Sequence, residues 1–308
     1  MIKTTYRATV LVPTHNRATL LRLAVASALA QTVQNIEVII LGDGVTDEVR
    51  ATARALAKKD ARVVFLDRPK TRYHGEEYRH EAIVAARSNA IFYLCDDDLF
   101  LPQHVEDLLA LLEKHNFAQS LNGYVSASGE IVFYAANLSD PSTIAMHLVE
   151  DKPYFYNAVG LTGTAHARDF YLELNQPWET TPSGNWPDHY QWCKMFRSPQ
   201  LRAATSSRMT ALKFPTTRDG RDNHSEKERL AEMRRWARTV RSPDGQTRID
   251  ELVRASSPMQ MERDRKTIFE LSLALHAAEE QVRAMSQTFS WRITSPLRVV
   301  RALAKRGR

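Results

Sequence analysis

The 308 residues, 43% hydrophobic and 25% charged, are enough to bury a sizeable core without disulfide or metal staples, and they exclude a collagen-like or low-complexity chain. No run approaches the roughly 20 apolar residues of a membrane span, the opening Met1–Arg7 has no signal-peptide apolar region, and two isolated cysteines, Cys95 and Cys193, exclude a disulfide framework and point to a reducing, cytoplasmic setting. The net charge of +6 resides in the last 20 residues, where Arg292, Arg298, Arg301, Lys305, Arg306 and Arg308 meet no acid, so the remainder is neutral and the partner implied is an anionic membrane surface at the tail rather than nucleic acid.

Four β-branched or aromatic runs open the chain, at Ala8–Pro13, Ile36–Leu41, Arg62–Leu66 and Ala90–Cys95. Between the first two, Leu21, Ala24, Val25 and Ala28 recur at helical spacing, and Asp47–Lys58 and Glu77–Arg87 also read as helices. Strands alternating with helices at about 30 residues per unit predict an α/β fold with a mostly parallel, Rossmann-like sheet and flanking helices. Pro102–His115 predicts a further helix, with Val105, Leu108, Leu109 and Leu112 on one face.

The pattern changes after residue 116. Phe117–Ser126 and Glu130–Ala136 predict a hairpin around Ser128-Gly129. The stretch Trp178–Pro187 is aperiodic, a helix is expected over Asp188–Arg197, and short strands near Leu201–Thr205 and Met209–Phe214. From about 225 the chain reads as charged helix. Within it Ile268, Leu271, Leu275, Ala278, Val282, Met285 and Phe289 alternate at spacings of 3 and 4, an a/d seam. That seam suits either an amphipathic helix lying on its own domain or a coiled coil joining two chains through residues 261–289. The organisation expected is a domain over 1–220 and a helical C-terminal extension over 221–308, ending in a basic amphipathic tail, 290–308.

Chemistry concentrates at strand ends. Cys95-Asp96-Asp97-Asp98 follows an apolar strand. Adjacent carboxylates repel one another and resist desolvation. At the carboxyl edge of a parallel sheet they suit Mg²⁺ or Mn²⁺ bridging to a diphosphate; a solvated, helix-capping loop is the plainer alternative. The second strand ends in Gly42-Asp43-Gly44, where Asp43 can accept hydrogen bonds from a base or ribose, and Asp47 is expected to cap the next helix. The first strand ends in Pro13-Thr14-His15-Asn16-Arg17, at the same edge.

Together, VLVPTHNR (10–17), GDGVTDE (42–48) and YLCDDDLFLPQHVEDLL (93–109) resemble the inverting family 2 glycosyltransferases of the GT-A fold, with Glu81–Arg87 similar to the helix before that family's DxD segment. The resemblance spans roughly residues 8–215. It implies a nucleotide-sugar donor in the half 1–116, bound by Pro13, Thr14, Asn16, Arg17, Asp43 and Asp96, with Asp97 and Asp98 toward the metal. The half 117–220 would hold a glycan or lipid-linked acceptor. The chain departs from the pattern at Gly42, where the family carries an acid, at Val45, where it carries a serine, and at Cys95, where it carries the first acid of its DxD segment. The family's acidic pair opening a tryptophan-containing helix corresponds to Pro187-Asp188, and Asp188 is the general base implied; its position at a helix N-terminus favours the ionised form. His189 and His166 are alternatives. The segment Ser290–Arg298 is similar to the ends of some bacterial surface-polysaccharide glycosyltransferases. A nucleotidyltransferase would need a glycine-rich, lysine-bearing loop that PTHNRATLL lacks. A nucleotide-binding assembly subunit without activity is the other alternative.

Overall fold

The computed structural model describes residues 5–149, 156–174, 176–216 and 221–287. The tail 290–308 and Phe289 lie outside the described residues. The chain forms two compact units, Met1–Ala255 and Ser256–Arg308.

In the first unit the strands are β1 (Ala8–Thr14), β2 (Ile36–Asp43), β3 (Val63–Arg68), β4 (Ala90–Tyr93), β5 (Leu99–Phe100), β6 (Phe117–Gln119), β7 (Gly123–Val125), β8 (Ile131–Phe133), β9 (Thr164–Ala167), β10 (Ala203–Thr205) and β11 (Ala211–Leu212). The helices are α1 (Ala18–Leu29), α2 (Asp47–Lys59), α3 (Glu76–Ala85), α4 (His104–Leu112), α5 (Pro141–His147), α6 (Arg168–Glu173), α7 (Pro187–Phe196) and α8 (Glu226–Arg241), followed by α9 (Gly245–Gln287), which continues into the second unit.

Seven strands form one sheet in the order β10-β6-β9-β4-β1-β2-β3. β1 pairs in parallel with both β2 and β4, and β2 with β3. Only β9 runs antiparallel, between β4 and β6. Both faces are buried: Val10, Val12, Val38, Ile40 and Phe92 join one core, and Leu11, Ile39, Leu41, Ile91 and Tyr93 the other. That burial on both sides is why these strands are mostly apolar rather than alternating. The first core takes in α1 through Leu20, Leu21, Ala24, Val25 and Ala28. The second takes in α7 through Trp192, which is fully buried and packs edge-on against Tyr93, Phe117 and Trp178.

Strand order reverses between β1 and β4, so their carboxyl ends open a crevice, the usual ligand position in such sheets. The register sets Thr14 beside Gly42 and Asp43 beside Arg68, which brings three strand ends to the same edge.

Three local expectations change. The run Phe117–Ser126 does not form one hairpin arm: Phe117–Gln119 enters the main sheet between β9 and β10, and the hairpin is the shorter pair β7–β8. Asp47 is the first helical residue of α2, while the cap is Thr46, whose side chain accepts the Val49 N–H. The first unit runs past residue 220 to Ala255, because Met233, Trp236, Ala237 and Val240 of α8 and Ile249 of α9 bury into its core. Arg221, buried, ties α8 to the hairpin by bonding Glu232 at 2.8 Å and the carbonyls of Val125 and Ser126.

Candidate active site

Two adjoining cavities, each of about 530 Å³, open at the crevice. The first is bordered by the end of β1 and the three residues after it (Pro13–Arg17), Asp43, Lys70, Tyr73, His74, Arg79, Asp96 and Asp97. The second is bordered by Asp98, Asn122, Tyr124, Tyr134, Asn157, Trp186 and Lys213. Arg17, Cys95, Asp97, Leu161, Pro187 and Asp188 border both.

The acidic triplet is divided by direction. Asp96, buried, accepts from Thr14 Oγ1 at 2.8 Å and from Arg17 Nη1 at 2.9 Å. Asp97 Oδ2 lies 3.2 Å from Arg17 and 3.3 Å from Arg229 of α8. Asp98, buried, accepts the Phe214 N–H at 2.9 Å. Burial, reinforced by the neighbouring Asp97 charge, pushes the Asp96 and Asp98 carboxyls above the ordinary range against these hydrogen bonds. Burial alone would lower the Arg17 pKa; the charges of Asp97 and Asp96 outweigh it and raise it, so this guanidinium is a fixed cation.

Asp43 is gripped by Lys70 Nζ and by the Thr71 N–H at 2.6 Å. Burial pushes its carboxyl up, but these bonds win and hold it below the ordinary range. Gly44 makes the grip feasible: its φ is +58°, and a Cβ there would lie 2.4 Å from Lys70 Cβ. His15 Nδ1 bonds the Asp43 carbonyl at 2.8 Å. Asn16 and Pro13 border the first cavity, while the Thr14 hydroxyl is committed to Asp96.

Asp188 is the second residue of α7 and half-buried. Its Oδ1 accepts the His189 N–H at 2.8 Å. Burial raises its pKa, overcoming that bond and the charges of Lys213 and Arg79. The helix N-terminus argues for the opposite sign; desolvation by the cavity walls outweighs it. The two histidines are occupied elsewhere. His166 is buried, bonded to Tyr93 Oη at 2.8 Å and to the Ala167 carbonyl, and burial lowers its pKa to about 4. His189 is buried with Nε2 on the His147 carbonyl at 3.0 Å.

Two site residues have no clear sequence signal. Arg79 of α3 lies just before Glu81–Arg87; it is buried, borders the first cavity, stacks over Trp178 at 4.6 Å, and holds Nε and Nη1 buried without a hydrogen-bond partner. Burial lowers its pKa against the Glu76 charge. Arg229 sits in a run of charges typical of a solvated helix.

The donor set tests the metal expectation. Mg²⁺ needs one or two carboxylates, with water and phosphate oxygens completing its shell. Among the described residues no group of three or more His, Cys, Asp or Glu could hold a metal ion. Asp97 borders both cavities with Oδ2 on Arg17 and Arg229, and its neighbours are tied to Thr14, Arg17 and Phe214, so the set fits a cation only through the other oxygen of Asp97 and a bound diphosphate.

The family model for glycosyl transferase family 2 matches residues 9–172. The chain belongs to glycosyl transferase family 2. A Rickettsia bellii protein named as an uncharacterized glycosyltransferase is 29% identical over 204 residues, covering 61% of this chain and 27% of that protein. Glycosyltransferase GlyA of Streptococcus pneumoniae is 25% identical over 133 residues, 43% of this chain and 19% of that one. The chain spans less than a third of the length of the curated relatives it matches. Among solved structures, S. aureus TarS 1-349 superposes with a TM-score of 0.53 at 12% identity over 80% of this chain and 69% of that one, which shows the shared GT-A fold. The family match ends before α7, so Asp188 lies outside the matched residues.

Proposed function

We propose that the protein is an inverting glycosyltransferase, moving a sugar from a nucleoside diphosphate sugar to a hydroxyl of a glycan or lipid-linked acceptor, in surface polysaccharide synthesis at the cytoplasmic face of a membrane. The observation that carries this reading is that Asp97 and Asp188 border the same two adjoining cavities. The donor takes the first cavity, its nucleoside at Asp43 and its diphosphate toward Arg17 and Arg79. The TarS fragment, of the same fold, has been solved with UDP-GlcNAc at a TM-score of 0.53 and 13% identity, 80% of this chain and 70% of that one being covered. The acceptor takes the second, where Trp186, Tyr124 and Tyr134 offer apolar ring faces and Asn122 and Asn157 offer amides, a combination suited to a sugar.

Asp97 would hold Mn²⁺ or Mg²⁺, which supplies neutralisation of the leaving diphosphate. Asp188 accepts the proton of the acceptor hydroxyl. The freed oxygen forms a bond to the anomeric carbon as the bond to the diphosphate breaks, with inversion. A carboxyl whose pKa is raised by burial is a stronger base than an exposed aspartate. The basic tail 290–308 would hold the enzyme at anionic lipid, near a lipid-linked acceptor.

Replacing Asp188→Asn tests the assignment. The expected result is a kcat lower by about 10²–10⁴-fold with little change in donor affinity. In the wild type, because the folded pKa is raised, kcat should fall on acidification at a pH above the ordinary aspartate value of about 3.9. Near-normal kcat in the variant would remove Asp188 from the mechanism.

A further inference from the structure

In the second unit the described helix carries a row of exposed apolar residues. Met261, Ile268, Leu271, Leu275, Val282 and Met285 are each between 54% and 68% exposed. They follow Pro258, which interrupts the helical hydrogen bonding. An exposed apolar seam of this length marks an interaction surface. A 3-and-4 spacing fits a partner helix of the same period, and the supply of such a helix with matching register is a second copy of this chain.

We propose that residues 261–285 join two copies of the chain as an antiparallel coiled coil. Three features select the direction. With the two-fold axis between Leu271 and Leu275, each Leu271 packs on the partner's Leu275 and each Ile268 on the partner's Ala278, large against small. A parallel pair would set alanine on alanine and leave a void. Second, Asp264 falls at a d position; in a parallel pair the two carboxylates would face each other across the seam, whereas the antiparallel pair sets each opposite Val282, about 27 Å along the helix from its twin. Third, flanking e positions face each other only in the antiparallel pair. There Arg265, exposed, meets Glu279, exposed, twice by symmetry. In the parallel register the e and g positions hold no opposite charges to match. Phe269 and Leu273, also exposed, fall outside the seam.

Sedimentation of the full-length protein across a concentration series tests this. A dimer is expected. Leu271→Glu with Leu275→Glu should give a monomer, with thermal unfolding of the remaining structure unchanged, since neither side chain is buried in the chain itself. Arg265→Glu and Glu279→Arg should each weaken dimerisation about tenfold, as two attractive contacts become repulsive, and the double variant should restore it. A wild-type monomer at every concentration overturns the proposal. So does an association that survives the leucine variant, or one that Phe269 and Leu273 control instead, or a double charge reversal that fails to restore the dimer.

Discussion

Arg79 offers a perturbation whose effects on stability and on binding should have opposite signs. A buried guanidinium with Nε and Nη1 unpartnered costs the folded state about 1–3 kcal/mol. Replacing it by Met removes that cost. The losses are a long Nη2 bond to the His74 carbonyl at 3.3 Å, about 1 kcal/mol at most, and the stacking over Trp178, roughly 0.5–1 kcal/mol, part of which a thioether recovers. Glu76 loses a neighbouring positive charge but keeps the His74 N–H at 2.9 Å. The balance runs from neutral to a gain of about 2 kcal/mol, or up to about 4–8 °C in Tm for a unit of this size. If the two donors serve the diphosphate of the sugar donor, the same change removes charge-assisted hydrogen bonds worth about 1.5–3 kcal/mol, roughly 10–150-fold in affinity. Thermal unfolding of Arg79→Met, with calorimetric titration of UDP and GDP, reads both. A loss of 3 kcal/mol or more, with nucleotide affinity unchanged, would show that Arg79 completes a buried charge network and does not meet the ligand.

Asp97→Asn should abolish most turnover and leave the fold intact; wild-type activity that persists in EDTA, together with an active Asp97→Asn, refutes the cation assignment. Trp192→Ala should cost about 3–5 kcal/mol in denaturant unfolding, because a fully buried indole between Tyr93, Phe117 and Trp178 leaves a large void; a cost under about 1 kcal/mol would mean that the aromatic core collapses around it. Deleting residues 290–308 should abolish salt-sensitive sedimentation with anionic liposomes, each basic residue contributing roughly 1 kcal/mol; equal sedimentation before and after deletion contradicts a membrane role for the tail.

The first four strands were legible because a parallel sheet buried on both faces favours apolar runs without alternation, and Ala8–Pro13, Ile36–Leu41, Arg62–Leu66 and Ala90–Cys95 are such runs apart from Thr9, Glu37 and Arg62. β9 was not, although it sits in the middle of the sheet. Its sequence, Thr164-Ala165-His166-Ala167, is short and carries a histidine that is tolerated only because Tyr93 and the Ala167 carbonyl satisfy both ring nitrogens. β6 merged with the hairpin beyond it for a similar reason: three residues, Phe117-Ala118-Gln119, are too few to show where one strand stops. Local pattern reports burial, and long-range pairing decides the rest.

The site divides along the same line. Residues at strand ends converge by topology alone, so Thr14, Arg17, Asp43 and the acidic triplet could be gathered from the sequence. Arg79 and Arg229 could not, since a helical arginine ordinarily faces water and nothing local distinguishes one that reaches a cavity. The departures from the family pattern are explained by packing and charge. A Cβ at Gly42 would meet Phe65 and Val45 at 3.0 Å, so the missing acid there has no room unless those side chains move. Cys95 stands where the family carries a further acid, beside three carboxylates. Burial, then the charges of Asp98 and Asp97, raise its thiol pKa and keep it neutral. Another carboxylate would add repulsion to a triplet in which burial already pushes Asp96 and Asp98 up and in which, among the described residues, Arg17 and Arg229 supply the ion pairs. A neutral residue at 95 leaves Asp97, which borders both cavities with Oδ2 on Arg17 and Arg229, as the carboxylate of the triplet placed to meet a cation and its diphosphate.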